Sequence, residues 1–306
     1  MASIVYVTDK KMIENHRLYG SNDLNFWRPL SQTGMKRFFE GDLIFFLTNL
    51  DIPGVKEKGV VGYGRFVRKE RLGLKTMWRK YGRKNGYENF EELEKAIMEY
   101  APEVPDKLSC LYIDRVVFFH RPVILSEIGF YVNSNLESFT YLDNGQQDYT
   151  YALLKEASLG GVDLWAMTVG NNDAREDWFE KDLVRYKLND IQNKVKDLHF
   201  SDAVRKENEE AMHELISKYP DIQKISTHGN QYYRETKEGI TVYIPAMIGQ
   251  RDIGKIKQVL GHVSCWCVKM EEEYLTYHIV LVTKLKTEPL LEEGIRSRDP
   301  VRVYVI

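Results

Sequence analysis

Up to Phe119 the apolar residues come in strand-length runs, each fenced by a turn signal. Ile4-Val5-Tyr6-Val7 ends at the turn-prone Thr8-Asp9. Leu43-Ile44-Phe45-Phe46-Leu47 follows the turn Gly41-Asp42, and Pro53-Gly54 marks the next turn. Gly59 to Val67 is strand-like with glycines inside it, which allow a bulge or close backbone approach. Leu111 to Phe119 is a further strand, interrupted by the charged pair Asp114-Arg115. Runs of this length and residue type call for a sheet. Two helices interrupt them. Leu74 to Tyr81 is short and basic. Asn89 to Tyr100 places Phe90, Leu93 and Ile97 at helical spacing, with Asn89 as cap and Glu91 and Glu92 in the first turn.

After about residue 156 the pattern turns helical. Asp173 to His199 carries Leu188, Ile191, Val195 and Leu198 at a 3.6-residue period, and Ser201 caps a second helix that runs to Lys218 before Pro220. Strands are expected at Ile222–Thr227, Gln231–Glu235 and Ile240–Ile244, then a short helix at Asp252–Leu260. Strands follow at His262–Met270, Tyr274–Lys284 and Val301–Ile306. At 306 residues the chain is long enough for two domains, placed at 1–155 and 156–306.

Composition removes several classes. Apolar residues make up 43% and charged residues 29%, which suits a globular core and not a disordered chain. No apolar run approaches the ~20 residues of a membrane helix, so no membrane partner is expected. The N-terminal residues show no basic or long apolar leader, and three cysteines are too few for a disulfide framework; both features predict a cytoplasmic protein. The net charge is -2, so a polyanionic partner must be met by a local patch.

Such a patch exists. Between Lys56 and Lys84 stand eleven Lys and Arg but only Glu57 and Glu70, a local excess of nine positive charges. Arg65, Arg68, Lys69, Arg71, Lys75, Arg79, Lys80, Arg83 and Lys84 are the candidate phosphate contacts. Trp78 and Tyr81 are interleaved with them and are candidates for stacking on unpaired bases. The alternative is a solvated basic surface balanced by acids such as Glu91, Glu92 and Glu94.

Asn25-Phe26-Trp27-Arg28-Pro29, then Gly41-Asp42 entering the run Leu43–Phe46, then Gly59-Val60-Val61-Gly62-Tyr63-Gly64-Arg65-Phe66, resemble in order and spacing the PUA-like superfamily of SRA, YTH, EVE and ASCH domains. Val5-Tyr6-Val7-Thr8-Asp9 and Trp78-Arg79-Lys80-Tyr81-Gly82-Arg83-Lys84-Asn85-Gly86 are similar to the SRA-like readers that precede HNH nuclease domains in modification-dependent restriction proteins. The resemblance covers residues 3–150. It implies a curved PUA-like β-barrel with flanking helices; with the C-terminal mixed α/β domain read from the pattern after residue 156, the expected fold class is α+β. The resemblance also implies a pocket for a modified or flipped base, with Asn25, Trp27, Arg28 and Trp78 as base-binding candidates. Strand alternation sends Asn25 and Trp27 to one side, and Phe26 and Arg28 to the other.

The HNH partner of that family does not follow: no His-Asn-His arrangement with Cys-x-x-Cys pairs occurs after residue 150. One nuclease-like pattern does. Asp221, then Glu235-Thr236-Lys237, has the order in which Asp221 and Glu235 would hold Mg2+ and Lys237 would sit near the attacking water. The same residues also read as a surface hairpin turn. His262, Cys265 and Cys267 invite a zinc reading, but no second Cys pair accompanies them. The expectation is a DNA-binding protein, with DNA favoured over RNA, that recognises a base and acts as a restriction-type endonuclease. The alternative is a non-catalytic reader whose second domain dimerises or extends the interface. Base excision is a third possibility.

Overall fold

The computed structural model describes residues 3–29, 35–50, 57–101, 103–133, 135–143, 149–169, 174–226, 229–249, 252–274, 276–284 and 300–305. Pro53-Gly54, Lys56, Asp173, Thr227, His228 and Ile306 lie outside them. The chain divides into two compact units, Ala2–Val184 and Arg185–Ile306, and both strands and helices build each.

The first unit holds a six-stranded sheet. Its strands are β1 Ser3–Val7, β2 Leu24–Arg28, β3 Leu43–Asn49, β4 Lys58–Leu72, β5 Leu108–Ile124 and β6 Phe139–Tyr141, in the order β2-β5-β4-β3-β1-β6. Only the β1–β3 pair in this order is parallel. The sheet curls. β2 and β1 stand far apart in hydrogen-bonding order, yet Phe26 stacks on Tyr6 at 5.6 Å and Arg28 donates to the Val7 carbonyl. The curl is written into β4 and β5, whose register shifts three times, between Val60/Gly62, Tyr63/Arg65 and Phe66/Arg68. Gly62 and Gly64 make this possible. A Cβ at Gly62 would lie 2.4 Å from the Val117 carbonyl oxygen, and one at Gly64 would lie 2.4 Å from Ile113 Cγ2.

Helices cover the curled sheet. α1 Lys10–Leu18 starts at Asp9, whose carboxylate accepts from the Met12 N–H at 2.8 Å; the Thr8-Asp9 turn signal is thus also a helix cap. α2 Leu74–Tyr81 buries Leu74, Met77 and Tyr81. α3 Phe90–Tyr100 is capped by Asn89, which accepts from the Glu92 N–H at 2.9 Å. Met12, Ile13, Met77, Leu93 and Ile97 share one core with Ile4, Phe26, Phe46 and Phe118. α4 Tyr149–Gly160 and α5 Leu164–Val169 also belong to this unit. His120 N–H donates to Gly161 O and Asp163 N–H to Phe118 O, which ties the α4–α5 connection to β5. The division therefore falls later than residue 155, within α6 Ala174–Val195.

The second unit has a five-stranded sheet of β7 Gln223–Lys224, β8 Tyr232–Thr236, β9 Gly239–Pro245, β10 Tyr277–Thr283 and β11 Val301–Val305, in the order β11-β10-β9-β8-β7. α7 Asp202–Lys218 begins at Ser201 and packs Met212 and Leu215 with Ile222, Tyr243 and Val282. α8 Ile253–Glu273 connects β9 to its parallel neighbour β10. It replaces the strand expected at His262–Met270. Ile256, Val259, Val263, Trp266 and Met270 form its buried stripe, a helical period that continues through Gly261.

Candidate nucleic-acid interface

The outer end of β4, the facing part of β5, α2 and the 3-10 turn Gly82–Asn85 bring the basic stretch together. Because α2 buries Leu74, Met77 and Tyr81, it turns Lys75, Arg79 and Lys80 outward. Tyr112 of β5, paired with Arg68 in the ladder, is the centre of the arrangement. Its ring stacks on Tyr81 with centroids 5.5 Å apart. The Arg68 guanidinium lies 4.2 Å from its centroid and the Lys84 ammonium 5.9 Å. Arg83 stands over Tyr19 at 5.8 Å.

Two carboxylates organise these cations. Glu70 accepts from Lys80 at 2.6 and 2.7 Å, from the Tyr81 hydroxyl at 2.8 Å and from Arg68 Nε at 3.2 Å. The bond from Lys80 is the main reason its carboxyl titrates below the usual range, and Tyr81 and the two cations add to it. Asp23 accepts from Lys84 and from the Tyr112 hydroxyl. Burial, then the Asp23 bond, pushes Tyr112 up to about 12, so the phenol stays neutral. Arg71, Lys75 and Arg79 are exposed and form no ion pair among the described residues. Lys69 is exposed, and partial desolvation and the neighbouring Arg71 lower its amine. Lys69 and Arg71 alternate to the other side of β4 from Arg68 and Glu70; on the Tyr112 side the cations Arg68, Lys75, Arg79, Lys80, Arg83 and Lys84 still outnumber Glu70 and Asp23. The Tyr81 and Tyr112 rings hold cations in place, and Tyr19 is exposed. Trp78 is half-buried and meets Phe90 edge-on at 6.3 Å.

Arg65 is a correction to the phosphate-binding set. It is 8% exposed, ion-paired to Asp182, and donates to Gly41 O at 2.8 Å. The β4 register shifts on either side of it turn it inward.

Asn25 and Trp27 share one side of β2, as alternation requires, but that side is packed. Asn25 Nδ2 donates to Asn85 Oδ1 at 2.8 Å and Trp27 Nε1 donates to Asn85 O at 3.1 Å. Trp27 is 8% exposed and packs with Tyr87 and Tyr100. The two side chains anchor the turn that carries Arg83 and Lys84. Arg28 donates to Glu137 O and Val7 O, each at 2.5 Å, and lies over Tyr6. A base-holding role for Asn25, Trp27 or Arg28 would need these contacts to open.

In the second unit, Glu235 and Lys237 fall at the β8–β9 hairpin, whose outermost pair is Thr236↔Gly239. Asp221 is ion-paired with Arg234 at 2.5 Å, and the β7–β8 ladder ends two residues away, at Gln223. Among the described residues no three His, Cys, Asp or Glu side chains gather around a metal-sized space. The helical path of α8 separates Cys265, exposed, from Cys267, buried. His262 accepts from Trp266 Nε1 at 3.2 Å and meets Gln231 Nε2 at 3.3 Å, inside a chain of polar side chains that continues to Gln192 and Ser226.

Tyr112, Tyr19 and Asp23 are the residues of the face that the basic run did not identify. The signal for Tyr112 was present: β5 alternates around it and it pairs with the most basic part of β4. No helix among the described residues is long and apolar enough to cross a membrane.

No family model and no curated protein matches the chain. Among solved structures, the chain is similar to the ASCH protein of Zymomonas mobilis. A Tyr-to-Phe mutant of that protein aligns at 15% identity over 49% of this chain and 97% of that one, with a TM-score of 0.36. Another crystal structure of the ASCH protein aligns at 13% identity over 53% and 96%, with a TM-score of 0.35. A likeness at this level assigns no activity and no ligand.

Proposed function

We propose that the first unit binds nucleic acid by its phosphates on the β4–α2–β5 face, and that the protein is a reader without strand-cleaving activity. The observation that supports this reading most directly is the convergence of Arg68, Lys80, Arg83 and Lys84 around Tyr112, Tyr81 and Tyr19, with Lys75 and Arg79 exposed on α2. Arginines pinned against aromatic rings lose less side-chain freedom on meeting a phosphate. Each phosphate neutralised releases counterions, so binding weakens with salt.

Affinity for single-stranded and duplex DNA and for RNA, measured over about 50 to 200 mM salt, tests the reading. For single strands the slope of log K against log salt is expected to become shallower by about 2 when Lys75, Arg79 and Arg83 are all changed to Gln, at ~0.7 per contact. The loss should be similar for every sequence. A flat salt response in the unmodified protein would overturn the phosphate role. Incubation with DNA and Mg2+ is the second arm: cleavage that disappears in Asp221→Ala or Glu235→Ala would replace the reader by a nuclease.

A further inference from the structure

The geometry points to a guanine-selecting subsite between α1 and α5, lined by Glu14, Arg17, Leu18 and Trp165, and this deepens, and rests on, the nucleic-acid reading. The cleft measures about 280 Å³. Sites for drug-sized ligands run from ~300 to 1,000 Å³, so this one suits a single base.

Trp165 is 58% exposed and Leu18 52%, an unusual outlay of apolar surface for two neighbouring side chains. The indole Nε1 donates to Leu18 O at 3.4 Å, which joins the ring to the end of α1. An exposed indole face beside an aliphatic side chain is a stacking platform. Both cleft walls hang on Asp163, which is buried. Its Oδ1 accepts from the Ala166 N–H at 3.1 Å at the start of α5, and its Oδ2 accepts from Arg17 Nε. That contact uses Nε and leaves the outer guanidinium nitrogens of a half-exposed Arg17 available as donors.

The polar pair then selects. Glu14, which also meets Lys10 at 3.5 Å, is an acceptor-only carboxylate. A stacked guanine offers it two adjacent donors, N1–H and the N2 amino group, and offers Arg17 the acceptor O6. Adenine would set its N1 lone pair against the carboxylate. Uracil or thymine has one donor flanked by two carbonyls.

The chain links the cleft to the basic face. Tyr19 follows Leu18 directly, and Arg83 lies over its ring. A strand gripped by its phosphates at Arg83 and Lys84 can lay one base on Trp165. Trp165 is a more exposed ring than Tyr19, the exposed aromatic of the basic face.

The test compares short single strands of uniform length that carry one G, or one A in its place, with guanosine and adenosine monophosphate as separate probes. The G strand is expected to bind about tenfold tighter than the A strand. Glu14→Gln should remove that preference while keeping the salt slope, and Trp165→Ala should lower affinity for the G strand about tenfold or more. Equal binding of G and A strands overturns the subsite. So does unchanged binding by Trp165→Ala when the Lys75, Arg79 and Arg83 variant still shows its shallower slope; the phosphate-binding reading then survives alone. If no strand binds, that reading falls, and the cleft stands only if guanosine monophosphate perturbs Trp165 fluorescence or NMR signals and adenosine monophosphate does not. Circular dichroism of each variant guards against misfolding.

Discussion

Asp182→Ala is expected to destabilise the Ala2–Val184 unit by about 3–5 kcal/mol. Asp182 is 3% exposed; one oxygen pairs with the Arg65 guanidinium and the other accepts from the Tyr63 hydroxyl at 2.9 Å. Removing the carboxylate leaves a buried cation and a buried phenol without this partner, and desolvation is the larger share of the cost. The double change Arg65→Met with Asp182→Leu should recover most of the loss, since apolar side chains of similar size remove both charges together. Because the chain has two units, a single unfolding midpoint does not isolate the effect. Hydrogen exchange of β4 and β5 amides does. A loss under about 1 kcal/mol would show that the pair is hydrated or unformed.

Acidification should act on His16. The imidazole is 1% exposed and burial lowers its pKa to about 4, against a smaller opposing pull from Asp23. Its Nδ1 meets Ser21 Oγ at 3.1 Å, and among the described residues its Nε2 has no partner. The folded pKa is depressed below the unfolded value of 6.5, so the neutral form belongs to the fold. Its contribution is fully present above pH 6.5 and is lost as pH falls toward 4, by about 3 kcal/mol. His262 in the second unit shifts in the same direction, chiefly by burial. The measurement is the difference in stability between wild type and His16→Leu as a function of pH. That difference should shrink across pH 6.5 to 4. A difference independent of pH would mean that His16 does not titrate over this range.

Local signals carried the fold furthest. The run Leu43–Leu47 behind Gly41-Asp42, the Asn89 cap and the short basic segment Leu74–Tyr81 each became the expected element. α8 did not, because Val263, Cys265, Trp266 and Cys267 are strand-prone residues and Gly261 looks like a stop. A Cβ at Gly261 would touch nothing within 4 Å, so there this glycine is a tolerated surface position inside a helix. The candidate face was legible as a charge count. Which cations point outward was not. Arg65 and Arg68 are three residues apart on one strand, with a register shift between them, so simple alternation fails. The partner that draws Arg65 inward, Asp182, belongs to a helix far along the chain. The exposed tryptophan of α5 sits on a six-residue helix, too short to show a period.

α6 runs without interruption from Ala174 to Val195 and carries Asp182 in its first half. A fragment ended at residue 155 would strip the sheet of the counter-ion for Arg65 and of the Gly161 and Asp163 anchors on β5. One ended at residue 184 would stop in mid-helix, where the last turn's carbonyls lose their hydrogen-bond donors. A cut at the end of α6 keeps both the counter-ion and an unbroken helix, but carries along Tyr186, Leu188 and Ile191, which are buried in the intact chain.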